Sequence, residues 1–295
     1  MKTDKLLIIK HGSIGDIFMS LDSVEAISQE YSDITLLSTD SGHKIFEFYK
    51  YNFKKICDNR DGIFKSFKII KLIIEQNFDI VVDLQNSQRT SIYFLILRIF
   101  TKSILNSTSI FASKRYLKNN FDEHVSLSLK NQIKVIGIFG NKKFHNKLQR
   151  SIQRKIILVP GSSKVGRKKR WNINNYLKII EFLVNKKIHV YIIGGKDEVE
   201  LINLIPSNKY IHNLINKSPW DIVKNIAFNS ILTVSNDTST MHFISSLGLP
   251  VIALMKDDKY SIRNAPISKG SLVIKKNNIQ DIKVREVINE ISKFI

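Results

Sequence analysis

The chain has 295 residues, 43% hydrophobic and 24% charged, a globular composition with length for two domains that each bury a core. No apolar run reaches the roughly 18 residues of a membrane span, and the four apolar residues between Lys5 and Lys10 do not make a signal peptide, so a cytoplasmic location is expected. A formal charge of +20 favours anionic partners, yet no zinc-finger spacing, RNP-like aromatic motif or basic heptad array points to nucleic acid, and the single cysteine, Cys57, excludes an internal disulfide and a cysteine metal site.

Short apolar runs alternate with stretches of helical period, the pattern of parallel βαβ units. In the first half, strands are expected at Leu6–Ile9 and at residues 34–37, 55–57 and 80–84, with helices at residues 17–29 and at Ile63–Gln76. Phe64, Phe67, Ile70 and Ile74 recur at helical spacing and are assigned to the core. Residues 92–100 (IYFLILRIF), between Arg89 and Lys102, suit core burial or peripheral contact with anionic lipid. The polar stretch 141–154 breaks the pattern, so the domains are expected at 1–150 and 151–295. Strands then follow at residues 156–159, 189–193, 231–235 and 251–255, with helices near 173–184, 197–204, 220–229, 238–247 and 280–294.

Four strand-to-helix junctions carry chemistry. Gly12, Ser13, Gly15 and Asp16 follow the first strand, where glycines allow close approach and Asp16 either caps the next helix or accepts a proton from an attacking hydroxyl. The spacing is not the dinucleotide fingerprint. Residues 160–171 (PGSSKVGRKKRW) offer Ser162 and Ser163 ahead of five basic residues, which suits phosphate oxygens or an exposed basic loop. Glu198, in GGKDE, suits a ribose hydroxyl or a helix cap. In NDTSTMH, a helix beginning near Thr238 would bring free N–H groups and the Thr238 and Ser239 hydroxyls to a pyrophosphate, with His242 one turn inside; Asp237 as N-cap is the alternative.

In order along most of the chain, HGSIGD, DIVVDLQNSQRTS, PGSSKVGRKKRW with GGKDE, and SNDTSTMH followed by LGLPVIAL resemble bacterial glycosyltransferase family nine, the lipopolysaccharide heptosyltransferases. The resemblance implies an α/β GT-B fold: two Rossmann-like doubly wound domains facing a central cleft, acceptor on the N-terminal one and nucleotide sugar on the C-terminal one. It implies Asp16 as general base in an acceptor-side junction with Gly12, Ser13 and Gly15. On the donor side it implies Lys169 as a phosphate contact with Ser162 and Ser163 ahead of it, Glu198 on the ribose, and Asp237, Thr238, Ser239 and His242 against the diphosphate and sugar.

The expected reaction is inverting transfer of heptose from ADP-heptose to a lipid-linked or oligosaccharide acceptor, with no cofactor or metal, at the inner face of the cytoplasmic membrane. Alternatives are another nucleotide-sugar transferase or epimerase of this fold, and a non-catalytic protein of anionic surfaces. Ser239 stands where the family carries glycine, Met255-Lys256 replaces a Phe-Gly pair, and Asp22 replaces a proline.

Overall fold

The computed structural model describes residues 2–118, 120, 122–140 and 153–295. The chain forms two compact units, Met1–Phe144 and His145–Ile295. The junction expected at residues 150 and 151 lies outside the described residues.

The first unit runs β1 (Leu6–Ile9), α1 (Ile14–Glu30), β2 (Ile34–Ser38), α2 (Asp40–Phe48), β3 (Lys54–Cys57), α3 (Ile63–Gln76), β4 (Ile80–Asp83), α4 (Gln88–Phe100), β5 (Ile104–Ser107), β6 (Lys114–Arg115) and α5 (Val125–Lys134). Its strands pair in the order β3-β2-β1-β4-β5-β6, all parallel. The strand order reverses between β1 and β4, the position outside whose carboxyl ends open α/β sheets bind ligands. Both strands are apolar along almost their whole length because helices cover both sheet faces. One face is sealed by Ile69, Ile70 and Ile73 of α3 and Tyr93, Phe94 and Leu97 of α4. On α1, Ile17, Leu21 and Val24 are buried, and α1 packs against α5.

Two expectations change here. Helix α1 begins at Ile14, three residues earlier than the apolar period suggests, because Ser13 and Asp16 cap its first turn. Phe64 and Phe67, assigned to the core, are 87% and 58% exposed, whereas Ile70 is buried and Ile74 half-buried. Helix α3 carries apolar residues on two faces, and only the stripe through Ile69, Ile70 and Ile73 meets the sheet.

The second unit runs β7 (Lys155–Val159), α6 (Ile173–Asn185), β8 (His189–Ile192), β9 (Ile211–Asn213), α7 (Trp220–Phe228), β10 (Leu232–Asn236), α8 (Ser239–Ser246), β11 (Val251–Lys256), α9 (Lys259–Arg263), β12 (Leu272–Lys276) and α10 (Val284–Ser292). Its parallel order, β12-β11-β10-β7-β8-β9, reverses between β7 and β10. The segment expected as a helix at 197–204 is a 3-10 helix, Lys196–Leu204, and the expected last helix divides into a 3-10 turn, Ile279–Asp281, and α10. Trp171 anchors this end of the chain, donating from Nε1 to the Ile282 carbonyl at 3.0 Å from within the core.

Candidate active site

In the first unit the loop from β1 to α1 is held from both flanking strands. The N–H groups of His11 and Gly12 donate to Gln85 Oε1, each at 3.1 Å, from the loop after β4. Ser38 and Thr39, at the end of β2, donate to the carbonyls of Lys10 and His11 at 2.6 and 3.0 Å. Gly12 has φ of +120°, a backbone conformation that a side chain would strain. Asp16 Oδ2 then accepts from the Ser13 N–H and hydroxyl at 3.0 and 3.1 Å. Among the described residues Oδ1 makes no hydrogen bond, and the carboxylate is only half-buried. Asp16 is thus both the cap and a carboxylate with a free oxygen; the two sequence readings do not compete. Gly15 lies inside the first turn of α1, not in the loop.

Sequence reasoning missed what surrounds this loop. Lys10 is buried and donates to the Leu84 carbonyl at 3.0 Å; burial holds its ammonium below the ordinary lysine value, against the pull of Asp16 and Asp83. Asp83 is fully buried, and burial raises its carboxyl above the usual range although Oδ1 accepts from the N–H groups of Gln85 and Asn86. Asp58, after β3, gathers four donors or partners: His11 Nε2 at 2.8 Å, the Tyr93 hydroxyl at 2.8 Å, Arg89 Nη2 at 3.0 Å and the Arg60 N–H at 2.9 Å. Burial opposes ionisation there, but these groups hold the carboxyl well below the usual carboxylate range. The only signal available was positional, since Asp58 and Asp83 both stand at strand ends.

In the second unit Asn236, fully buried at the end of β10, fixes the loop after β7. Its amide donates to the carbonyls of Pro160 and Gly161 at 2.7 and 3.2 Å, and its Oδ1 accepts from the Trp171 N–H and the Tyr176 hydroxyl. Ser163 is exposed at the start of the 3-10 turn Lys164–Lys169, whereas Ser162 is buried and donates to the Gly166 carbonyl at 2.7 Å. Of the two expected hydroxyls, only that of Ser163 faces outward.

Arg170 is the hub that composition did not single out. Its guanidinium donates to the Ser162 carbonyl at 2.5 Å, the Asp197 carbonyl at 3.0 Å, Glu198 Oε1 at 3.1 Å and Glu200 Oε1 at 2.9 Å. Glu198 Oε2 accepts from the Gly195 N–H at 2.6 Å. A Cβ on Gly161 would lie 2.1 Å from Glu198 Cγ, so glycine there makes the room in which Glu198 is buried. Replacing Arg170 by lysine keeps the charge and loses the planar fork. The expected loss is about 1.5–3 kcal/mol of unfolding free energy, read from urea denaturation.

The Asn236-to-His242 junction starts α8 with Thr238, not Asp237, as N-cap: Thr238 Oγ1 accepts from the Met241 N–H at 3.3 Å. Asp237 instead joins Lys169, whose Nζ lies 2.5 Å from Oδ2, to His242, whose Nε2 lies 3.4 Å from Oδ1. Burial opposes ionisation, but His242 and Lys169 hold the Asp237 carboxyl down to about 2, so it is charged at neutral pH. Ser239 follows in the first turn without positive φ, so the backbone there does not require glycine. Among the described residues the Ser239 and Thr240 N–H groups of this turn have no partner inside the helix, which leaves a site suited to an anion beside a lysine.

The sequence matches the family model for glycosyltransferase family 9 (heptosyltransferase) over residues 66–290, more than half of the chain. It is 24% identical over 307 aligned residues to lipooligosaccharide heptosyltransferase 2 of Campylobacter jejuni, an alignment spanning 95% of this chain and 96% of that protein. The fold is similar to that of E. coli heptosyltransferase WaaC solved with ADP, with a TM-score of 0.77 at 14% identity, over 99% of this chain and 100% of that one. Against WaaC with ADP-2-deoxy-2-fluoro heptose the TM-score is 0.75 at 15% identity, over 98% of this chain and 99% of that one. With its two parallel sheets and these junctions, the chain belongs to glycosyltransferase family 9, the heptosyltransferase family, and is a glycosyltransferase of GT-B fold.

Proposed function

We propose that this chain transfers heptose from ADP-heptose to a hydroxyl of a lipid-linked or oligosaccharide acceptor of the lipopolysaccharide core, inverting the anomeric carbon. The observation that carries the reading is the Asp16 carboxylate, held through Oδ2 by Ser13 with Oδ1 left to accept a proton. The first unit takes the acceptor at Gly12, Ser13, Gly15 and Asp16, and the second takes the donor. Asp16 removes the acceptor proton as the oxygen attacks opposite the leaving diphosphate. Charge that develops on the departing ADP is met by Lys169 and by the first-turn N–H groups of α8. Ser163 and the Thr238 and Ser239 positions line the phosphates, Ser162 sets the loop that presents them, and Glu198, pinned by Arg170, faces the ribose. Asp237 and His242 hold Lys169 in place and lie against the sugar. A lipid-linked acceptor places the chain peripherally on the inner face of the cytoplasmic membrane.

That E. coli WaaC is solved with ADP and with a fluorinated ADP-heptose supports the choice of nucleotide and sugar. A thermal-shift panel of ADP-heptose against UDP-, GDP- and CDP-sugars tests it. ADP-heptose at about a hundred times its Kd is expected to stabilise the fold by about 2.7 kcal/mol. An equal or larger shift with another nucleotide sugar, followed by its transfer, would overturn the donor assignment.

A further inference from the structure

Helices α3 and α4 each carry two apolar stripes, of which the fold buries one. In α4, Tyr93, Phe94 and Leu97 enter the core, while Ile92, Leu95 and Ile99 recur at i, i+3 and i+7 on the other side and continue into Phe100; Ile92, Ile99 and Phe100 are 57%, 69% and 66% exposed. In α3 the outward residues are Ile63, Phe64 and Phe67. A helix apolar on both faces is expected in a buried or lipid setting, and a run of exposed large side chains marks an interaction surface. The two helices pack against each other and bury their inner stripes in one core cluster, so both outer stripes lie on the same side of the sheet.

The charge of this region selects the partner. From Gln85 to Asn120 there is no acidic residue, while Arg89, Arg98, Lys102, Lys114, Arg115 and Lys118 are basic. Lys65, Lys68 and Lys71 lie exposed along α3 among its apolar residues, Lys65 paired with Asp61 at 2.8 Å and Lys71 with Glu75 at 3.7 Å. A second copy of the chain docked symmetrically on this face would set these cations against themselves. An anionic bilayer instead offers phosphates to the cations and an acyl boundary to the phenylalanines and isoleucines. Both helices begin at the carboxyl edge of the sheet, where Arg89 and the Tyr93 hydroxyl of α4 meet Asp58.

We propose that the outer face of α3 and α4, through Ile63, Phe64, Phe67, Ile92 and Ile99 with their flanking lysines and arginines, docks on an anionic lipid bilayer and brings the acceptor edge of the first unit to the membrane surface. This rests on the reading that the acceptor is lipid-linked. Burying the apolar stripes holds the helices at the interface, and the cations make the attachment depend on lipid charge and on salt.

The test is flotation of the full chain with vesicles of phosphatidylcholine alone and of phosphatidylcholine with phosphatidylglycerol, three to one. Binding is expected to be at least about tenfold tighter to the anionic vesicles. Both Phe64→Ser with Phe67→Ser and Ile92→Ser with Ile99→Ser are expected to weaken it at least about tenfold. Neither pair should lower the thermal midpoint or reduce transfer to a water-soluble acceptor fragment, because the exposed side chains leave no cavity. Wild-type chain that does not float with the anionic vesicles overturns the proposal, as do variants that float like wild type. So does a dimer in sedimentation velocity that the substitutions dissolve in the absence of vesicle binding. Transfer to the soluble fragment without vesicle binding overturns the docking face alone; vesicle binding lost in the variants, with no transfer by wild type to any acceptor, supports the face and overturns the acceptor assignment.

Discussion

Asp16→Asn is expected to lower the turnover number about 10²–10⁴-fold, the range a positioned general base contributes, with donor affinity nearly unchanged. The asparagine carbonyl oxygen can still accept from the Ser13 N–H and hydroxyl, so the cap of α1 is preserved and the fold should stay intact. What is lost is the ability to take a proton, since an amide is not a base at neutral pH. Asp16→Ala would add the loss of the cap, about 1 kcal/mol, and confuse the two effects. The measurement is product formation under saturating donor, with donor Kd measured separately. Turnover within about threefold of wild type would remove Asp16 from the base role. A fall in turnover accompanied by an equal weakening of donor binding would point to structural damage.

Asp58→Ala is expected to cost about 3–5 kcal/mol of folding stability, the range seen when one partner of a buried ion pair is removed. Asp58 and His11 are each 1% exposed at their side chains, so His11, the Tyr93 hydroxyl and Arg89 would lose a shared acceptor where water cannot replace it. Against a typical total of about 5–15 kcal/mol this is a large share. The pH dependence has a definite sign. The folded carboxyl titrates below its unfolded value, about 3.9, so its contribution is complete well above that value and is lost as pH falls toward the folded one. Urea denaturation from pH 7 downward should therefore show a smaller acid-limb slope in the variant. An unchanged slope, or a loss under about 1 kcal/mol at neutral pH, would mean that Asp58 is not the hub of this network.

The junctions at Gly12–Asp16 and Asn236–His242 were legible because strand, turn and cap signals lie within a few residues of one another. Even there one detail escaped: Thr238, not Asp237, caps α8, because Asp237 is drawn into the pair with Lys169, a residue 68 positions away. Arg170 was hidden among its basic neighbours, and nothing local distinguishes it from Lys168 or Lys169. It becomes a hub only because β7 and β8 pair in parallel and bring Ser162, Asp197 and Glu198 around one guanidinium. The Asp58 network was hidden for the same reason, since its side chains come from the loops after β1 and β3 and from α4, with His11, Arg89 and Tyr93 each 31 to 47 residues from Asp58.

The amino-acid sequence by itself determined the alternation of strands and helices, the two-unit α/β architecture, the family and the position of the strand-to-helix junction that carries Asp16. These rest on local spacing, which a linear chain records directly. Only the tertiary structure decided which stripe of a doubly apolar helix is covered, turning Phe64 and Phe67 outward while Ile69, Ile70 and Ile73 meet the sheet. Likewise, only the folded chain brought the buried side chains of Asp58, Lys10 and Glu198 to their distant partners. Periodicity determines that a helix has an apolar face; which face the sheet lies against, and which distant carboxylate a cation meets, follow from strand order and register.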